Sequence, residues 1–307
     1  MDLKGKIVFA SGKHGDYDIF VLDLEEKDID QLTAGDYWNT CPKWSPDGKR
    51  IVYVSNCTGT PEIWIMEEDG SHEKRITTQD KWHNTPDWSP DGKKLAFCAN
   101  YDGNINIYTM NIDGTDLKQI TNYEGMDYAP QFSPDGKRII FASKRSGNPD
   151  IWVYEMASGK LEQFTQYGGR DYAPTFSPDG ERVAFVSGLI GNDGRENLEI
   201  YRMDKKGENK ERMTFDLGQD RHACWSPDGK YLAYTSGKPG FSIERLHVMD
   251  VATKKSRLLE FDRAPLEREI GAQAKSFMLF KFLPKNWTKK MYPDMYFGTE
   301  QYPDWKA

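Results

Sequence analysis

The sequence predicts an all-β fold, a six-bladed β-propeller with four-stranded blades, and three observations carry that expectation. A turn motif recurs at a near-constant period, each repeat holds four short apolar segments, and the last residues match the part that the first repeat lacks. Ser45-Pro-Asp-Gly-Lys, Ser89-Pro-Asp-Gly-Lys, Ser133-Pro-Asp-Gly-Lys, Ser177-Pro-Asp-Gly-Glu and Ser226-Pro-Asp-Gly-Lys follow one another at steps of 44, 44, 44 and 49 residues. Lys4-Gly5-Lys6 is a degenerate sixth copy. Four strands in a period of about 40–45 residues is the arithmetic of a propeller blade.

The elements follow in order. The first segment of each unit ends in an aromatic, Trp44, Trp88, Phe132, Phe176 or Trp225, just before the turn. In that turn Pro presets φ, Asp bonds back to the backbone and Gly takes a positive φ. Asp47, Asp91, Asp135, Asp179 and Asp228 are therefore read as turn residues and not as an acidic array. The second segments include Ile51-Val-Tyr-Val and Ile139-Ile-Phe-Ala, and the third include Ile63-Trp-Ile-Met and Ile151-Trp-Val-Tyr. The fourth are short and end in Leu32-Thr, Ile76-Thr, Ile120-Thr, Phe164-Thr and Met213-Thr. β-Branched and aromatic residues in short runs between Gly, Pro, Asp and Asn indicate strands.

One domain over 1–307 is expected, with blades at about 1–33 plus 301–307, 34–77, 78–121, 122–165, 166–214 and 215–260, and an insertion at about 261–300. Tyr302-Pro-Asp-Trp305 matches Thr85-Pro-Asp-Trp88, so the C-terminal strand is expected to close the ring as the inner strand of the first blade. Such a clasp removes an open edge. The insertion is expected to be partly helical, opening at Pro265 and stopping at Pro284, with the apolar run Phe277 to Leu283 packed as a cover or acting as a lid or docking element.

Composition bounds the function. The chain has 307 residues, 41 Lys plus Arg against 48 Asp plus Glu, and a net charge of -7 without a basic stripe, which argues against duplex nucleic acid as a partner. No apolar run is long enough to span a bilayer. The N-terminus lacks the pattern of a secretory signal, so the chain as it stands reads as cytoplasmic, or as periplasmic or secreted if a signal has been removed. Cys41, Cys57, Cys98 and Cys224 lack CxxC spacing, and Cys41, Cys98 and Cys224 read as small buried hydrophobes.

The unit of Pro-x-aromatic, Ser-Pro-Asp-Gly-Lys, an apolar strand, Asp-Ile-aromatic, Asp-Gly and Leu-Thr resembles the WD-like β-propeller repeat of the TolB type. The resemblance implies a propeller, and members of the family include a periplasmic translocation protein that binds lipoproteins, propellers attached to peptidases, and lyases of pectate fragments. It leaves open whether this chain is catalytic.

Propeller function is expected on one face, where the connections between blades meet the loops between second and third strands. Both departures from the 44-residue period, Gly188 to Asn197 and the insertion, fall on that face. Aligning inner strands on their Pro places Trp38, Asn39, Trp82, His83, Asp127, Tyr128, Arg170, Asp171, Tyr172, Asp220, Arg221 and His222 at the channel mouth. Aromatics beside charged groups suit a peptide or a sugar ring. The leading expectation is a non-catalytic, monomeric propeller that binds a protein, peptide or glycan there, without cofactor, metal or membrane. The rival is a polysaccharide lyase or glycoside hydrolase using Asp127, Asp171, Asp220, His83 or His222 at the same mouth. Gln219 and His222 resemble part of the metal site of oligogalacturonate lyases, but no HExxH-type spacing supports a metal. No GxSxG elbow is present.

Overall fold

A computed structural model describes residues 3–13, 16–166, 168–190, 196–215, 218–237, 244–259 and 304–306. The expectations for the insertion at 261–300 lie outside the described residues. The described strands form six four-stranded antiparallel sheets, each ordered from an innermost first strand to an outermost fourth. Blade 2, for example, runs Asn39–Trp44, Arg50–Ser55, Glu62–Glu67 and Lys74–Arg75. The sixth sheet joins the chain ends: Asp304–Lys306 pairs with Lys6–Lys13, placing Trp305 opposite Ile7. That is the register in which Trp44 faces Ile51 in blade 2.

The Ser-Pro-Asp-Gly turn is held as its chemistry predicts. Ser45 Oγ donates to Asp47 Oδ1 at 2.5 Å and accepts from the Arg50 amide at 2.9 Å. The Gly48 amide closes on Ser45 O at 2.8 Å, with Gly48 at φ +67°. Asp47, Asp91, Asp135 and Asp179 are all held below the usual carboxylate range, first of all by the serine hydroxyl. They are anionic turn braces.

Alternation along the strands places one apolar set on each sheet face, so neighbouring blades bury both. Six buried clusters result, one at each junction between blades. Val8, Ile19 and Val21 of blade 1 meet Trp44, Ile51 and Tyr53 of blade 2, and Cys224, Ala233 and Val248 of blade 6 return to Ile7, Phe9 and Phe20. Cys41, Cys98 and Cys224 are buried free thiols and Cys57 is an exposed one. Burial pushes the Cys41 and Cys98 thiols up to about 12 and about 11.

The Leu-Thr repeat also has a physical role. Thr33, Thr77, Thr121, Thr165 and Thr214 each accept the amide hydrogen of an isoleucine in the third strand of their own blade, Ile19, Ile63, Ile107, Ile151 and Ile200, at 2.9–3.0 Å. Beside the threonine stands a polar residue, such as Asp150 or Glu199, reached by Gln163 or Arg212 from the short fourth strand. This clamp holds an outer strand of only two or three residues.

Hairpin length divides the ring. The second and third strands have six residues each in blades 2, 3 and 4. They have nine in blade 5, seven in blade 6 and eight in blade 1. The lengthened segment after Gly188 is thus partly ladder, since Ile190 pairs with Glu196.

Candidate functional site

The connections between blades meet the loops between second and third strands. The Trp38 amide donates to Asn56 Oδ1 at 2.8 Å and the Trp82 amide to Asn100 Oδ1 at 3.0 Å. Tyr123 donates its hydroxyl to Lys144 O at 3.2 Å, and Thr60 Oγ1 donates to Asp80 at 2.9 Å. Among the described residues this face carries the longest hairpins, and the Ser-Pro-Asp-Gly turns lie at the other end of the inner strands.

At the strand starts, Asn39, His83, Asp127, Asp171 and Asp220 are all buried, because alternation turns them between blades. A buried charge needs a partner. Arg145 Nη2 lies 2.6 Å from Asp127 Oδ2, and its guanidinium is wedged 5.3 Å from Tyr123, 5.6 Å from Phe141 and 4.9 Å from Trp152. Asp171 is served by Lys210 at 3.4 Å, whose ammonium stands over Phe185 and Tyr201 at 5.0 and 4.8 Å. Asn39 Nδ2 donates to Asp18 and to Thr33, each at 3.2 Å. His83 Nε2 lies 2.8 Å from the Tyr101 hydroxyl, and burial pushes its pKa down to about 4, so the ring is neutral at pH 7.

The other sequence-predicted residues spread out. Trp82 is buried and packs with blades 3 and 4, as half-buried Tyr128 does. Tyr172 packs at both junctions of blade 5. Trp38 is half-buried, Arg170 is exposed, and half-buried Arg221 donates to Gln219. His222 is buried, with Nδ1 3.2 Å from Thr235 Oγ1.

A feature that sequence alignment on Pro misses decides what faces the axis. In five inner strands the ladder slips by one residue, as between Thr40 opposite Val54 and Lys43 opposite Val52. The extra residue of this bulge has a positive φ: Cys41 (53°), Thr85 (47°), Ala129 (52°), Ala173 (49°) and His222 (53°). These five line the central channel, whose cavity is about 450 Å³ counted to its open ends, together with Lys43, Asp87, Gln131 and Thr175 further along. Of the twelve residues placed at the mouth by sequence, His222 is among those lining this cavity. In four of the five strands the available signal was the residue before the inner-strand Pro, which is pushed out of the right-handed helical region, while in blade 6 Ala223 follows His222 in place of Pro.

The residues after Pro also join blades. Asp87 Oδ2 accepts the Phe132 amide at 2.9 Å, and Gln131 Oε1 accepts the Phe176 amide at 2.5 Å. Among the described residues no group of three His, Cys, Asp or Glu side chains is placed to hold a metal ion. No described helix is long and apolar enough to cross a membrane.

With this geometry in place, the family model for the TolB beta propeller domain matches residues 4–97, 82–187 and 160–280. The chain belongs to the TolB β-propeller family. TolB from Acinetobacter baumannii superposes with a TM-score of 0.74 at 26% identity, over 84% of this chain and 64% of that one. This chain therefore spans under two thirds of that protein. A candidate TolB from Agrobacterium tumefaciens gives a TM-score of 0.69 at 22% identity, over 84% and 89% of the two chains. An oligogalacturonate lyase from Vibrio parahaemolyticus shares the fold at 15% identity, with a TM-score of 0.53 over 85% and 75%. No curated protein sequence matches it.

Proposed function

We propose that this chain is a non-catalytic binding propeller that recognises a protein or peptide segment on the face where the connections between blades meet the long hairpins. The observation that carries this reading is the fate of the ionisable ring. Of the five groups an acid–base mechanism could use, Asp127, Asp171 and His83 are buried and engaged by Arg145, Lys210 and Tyr101, and Asp220 and His222 are buried as well, His222 against Thr235. General acid–base chemistry needs a group within reach of the proton it moves. Arg170 and the half-buried Tyr128, Tyr172 and Arg221 are then the candidate contacts around the mouth, with Asn39, Trp82, Asp220 and His222 supporting them. TolB-family membership agrees with a role in binding.

The test is to select binders from a linear peptide display library on the full chain and compare variants. Arg170→Ala and Arg221→Ala should each weaken the selected peptides about tenfold, one well-placed charged contact. Lys137→Ala on the opposite face should leave them unchanged. Peptides that respond only to Lys137→Ala would overturn the choice of face. Turnover of uronate-containing oligosaccharides by the same preparation would overturn the non-catalytic reading.

A further inference from the structure

Blades 2, 4 and 5 each set an aromatic of the second strand opposite one of the third: Tyr53 opposite Trp64, Phe141 opposite Trp152, and Phe185 opposite Tyr201. In blade 4 the guanidinium of Arg145 lies over the pair, and in blade 5 the ammonium of Lys210 does. Blade 2 replaces both cations. Cys57 stands where Arg145 does, two residues after the serine that ends the second strand. Glu73 stands where Lys210 does, four residues before the clamping threonine. Glu73 is exposed, and its Oε1 accepts from the Tyr53 hydroxyl at 2.9 Å. Among the described residues no Lys or Arg is within ion-pair distance of it. Half-buried Trp64 and Tyr37 and exposed Cys57 border the same crevice between blades 1 and 2. Burial first, and then nearby Cys57 and Glu73, raise the Tyr37 phenol above its ordinary range. Arg75, opposite Trp64 on this wall, is already committed, since its Nη2 donates to buried Glu62 at 2.6 Å. The matching Arg212 and Glu199 pair of blade 5 shares its wall with Lys210, so this clamp accommodates a second cation.

We propose that this crevice binds a guanidinium group, that of an arginine side chain of a partner protein, stacked on Trp64 and Tyr37 and paired with the Glu73 carboxylate, which Tyr53 orients. Aromatic surface beside a carboxylate with no cation of its own is the chemistry that recognises an organic cation. A guanidinium suits it better than an ammonium, because it is planar, stacks on a ring and forks onto a carboxylate. Blades 4 and 5 supply this cation from their own chain, and blade 2 leaves it to a visitor. The crevice belongs to the wall of blade 2, apart from Arg170 and Arg221 in blades 5 and 6, so it adds a site to the peptide-binding reading and does not depend on it.

The test titrates Nα-acetyl-arginine amide into the full chain and follows the Trp64 indole resonance, assigned with Trp64→Phe. The arginine probe should shift that resonance, and the citrulline analogue, which has the same shape without the charge, should not. Glu73→Gln should weaken the arginine probe about fivefold, the upper range for one partly exposed charge contact. Glu67→Gln, an equal change in net charge at the far end of the third strand, should leave it unchanged. Cys57 gives a second readout. Relative to free cysteine, a trimethylammonium methanethiosulfonate should modify it about fivefold faster than the sulfonate reagent, and Glu73→Gln should remove that preference. No shift at Trp64, equal shifts with the citrulline probe, or indifference of either readout to Glu73→Gln overturns the site and leaves the mouth reading standing. A lysine amide that binds more tightly than the arginine probe overturns the guanidinium assignment. Agmatine binding more tightly than the blocked amide would assign the crevice to a small metabolite and overturn the partner protein.

Discussion

At the start of the inner strands Asn39, His83, Asp127, Asp171 and Asp220 are buried between blades, whereas one bulge further along Cys41, Thr85, Ala129, Ala173 and His222 line the channel. The first ring is chemically rich and spent on architecture: blades 3, 4 and 5 supply their own partners, a tyrosine, a guanidinium from a loop and an ammonium from the turn into the fourth strand, while Asn39 of blade 2 reaches back to Asp18 and Thr33 of blade 1. The second ring is plainer and holds a backbone conformation that costs energy for residues other than glycine. A single extra residue thus separates groups that hold the propeller together from groups a ligand in the channel can touch.

The sharpest way to break this comparison is to remove a partner from the first ring. Asp127 is fully buried, and Arg145→Ala would leave its carboxylate without its cation. We expect a loss of about 3–5 kcal/mol in urea unfolding, as for other broken buried pairs. Combining it with Asp127→Asn should restore part of that loss, since the unpaired charge is gone. Cys41→Ala in the second ring removes only a neutral thiol and its hydrogen bond to Asn84 Oδ1, and should cost far less. A loss for Arg145→Ala no greater than that for Cys41→Ala would mean that the first ring is not architectural.

His83 gives the next largest effect, and its sign is fixed by burial. Burial holds the folded pKa at about 4, against 6.5 for an ordinary imidazole. Between those values the unfolded chain binds the extra proton, so stability from neutral His83 is complete above about pH 6.5 and is lost as pH falls toward 4. At pH 5 the loss relative to pH 7 is about 2 kcal/mol, from roughly 1.4 kcal/mol per pKa unit. Asn39 occupies the same register in blade 2 and does not titrate, so His83→Asn should flatten the difference between the two pH values. Equal slopes for the two proteins would show that His83 is not held neutral.

The sequence made the blades legible because turn chemistry repeats with them. Ser45 to Gly48 and its four copies announce the first hairpin, and Tyr302 to Trp305 announces the closing strand through its likeness to Thr85 to Trp88. The site was less legible for two physical reasons. Alternation gives a side chain a face only relative to its neighbours, so Asp127 reads as equally fit for the channel or the blade junction until the ladder is known. The bulge then shifts the count by one, and Ala129, with no chemistry to draw the eye, becomes the residue that faces the axis. Arg145 and Lys210 were missed because their carboxylate partners lie 18 and 39 residues away.

The smallest expected effect probes the second ring directly. Ala129 sits at φ 52°, where a Cβ costs about 1–2 kcal/mol relative to glycine. Ala129→Gly relieves that cost in the folded chain, while the extra freedom of glycine in the unfolded chain takes back about 0.5–1 kcal/mol. The net is a stabilisation of about 0.5 kcal/mol or slightly more. Ala142, fully buried in the second strand of the same blade, provides the contrast. There Ala142→Gly gains no relief, loses a packed methyl and should destabilise by about 1 kcal/mol or more. Opposite signs in chemical denaturation are the expected result. Destabilisation by both would mean that the methyl of Ala129 contributes more to the channel wall than its backbone conformation costs, and the second ring would then share the structural role of the first.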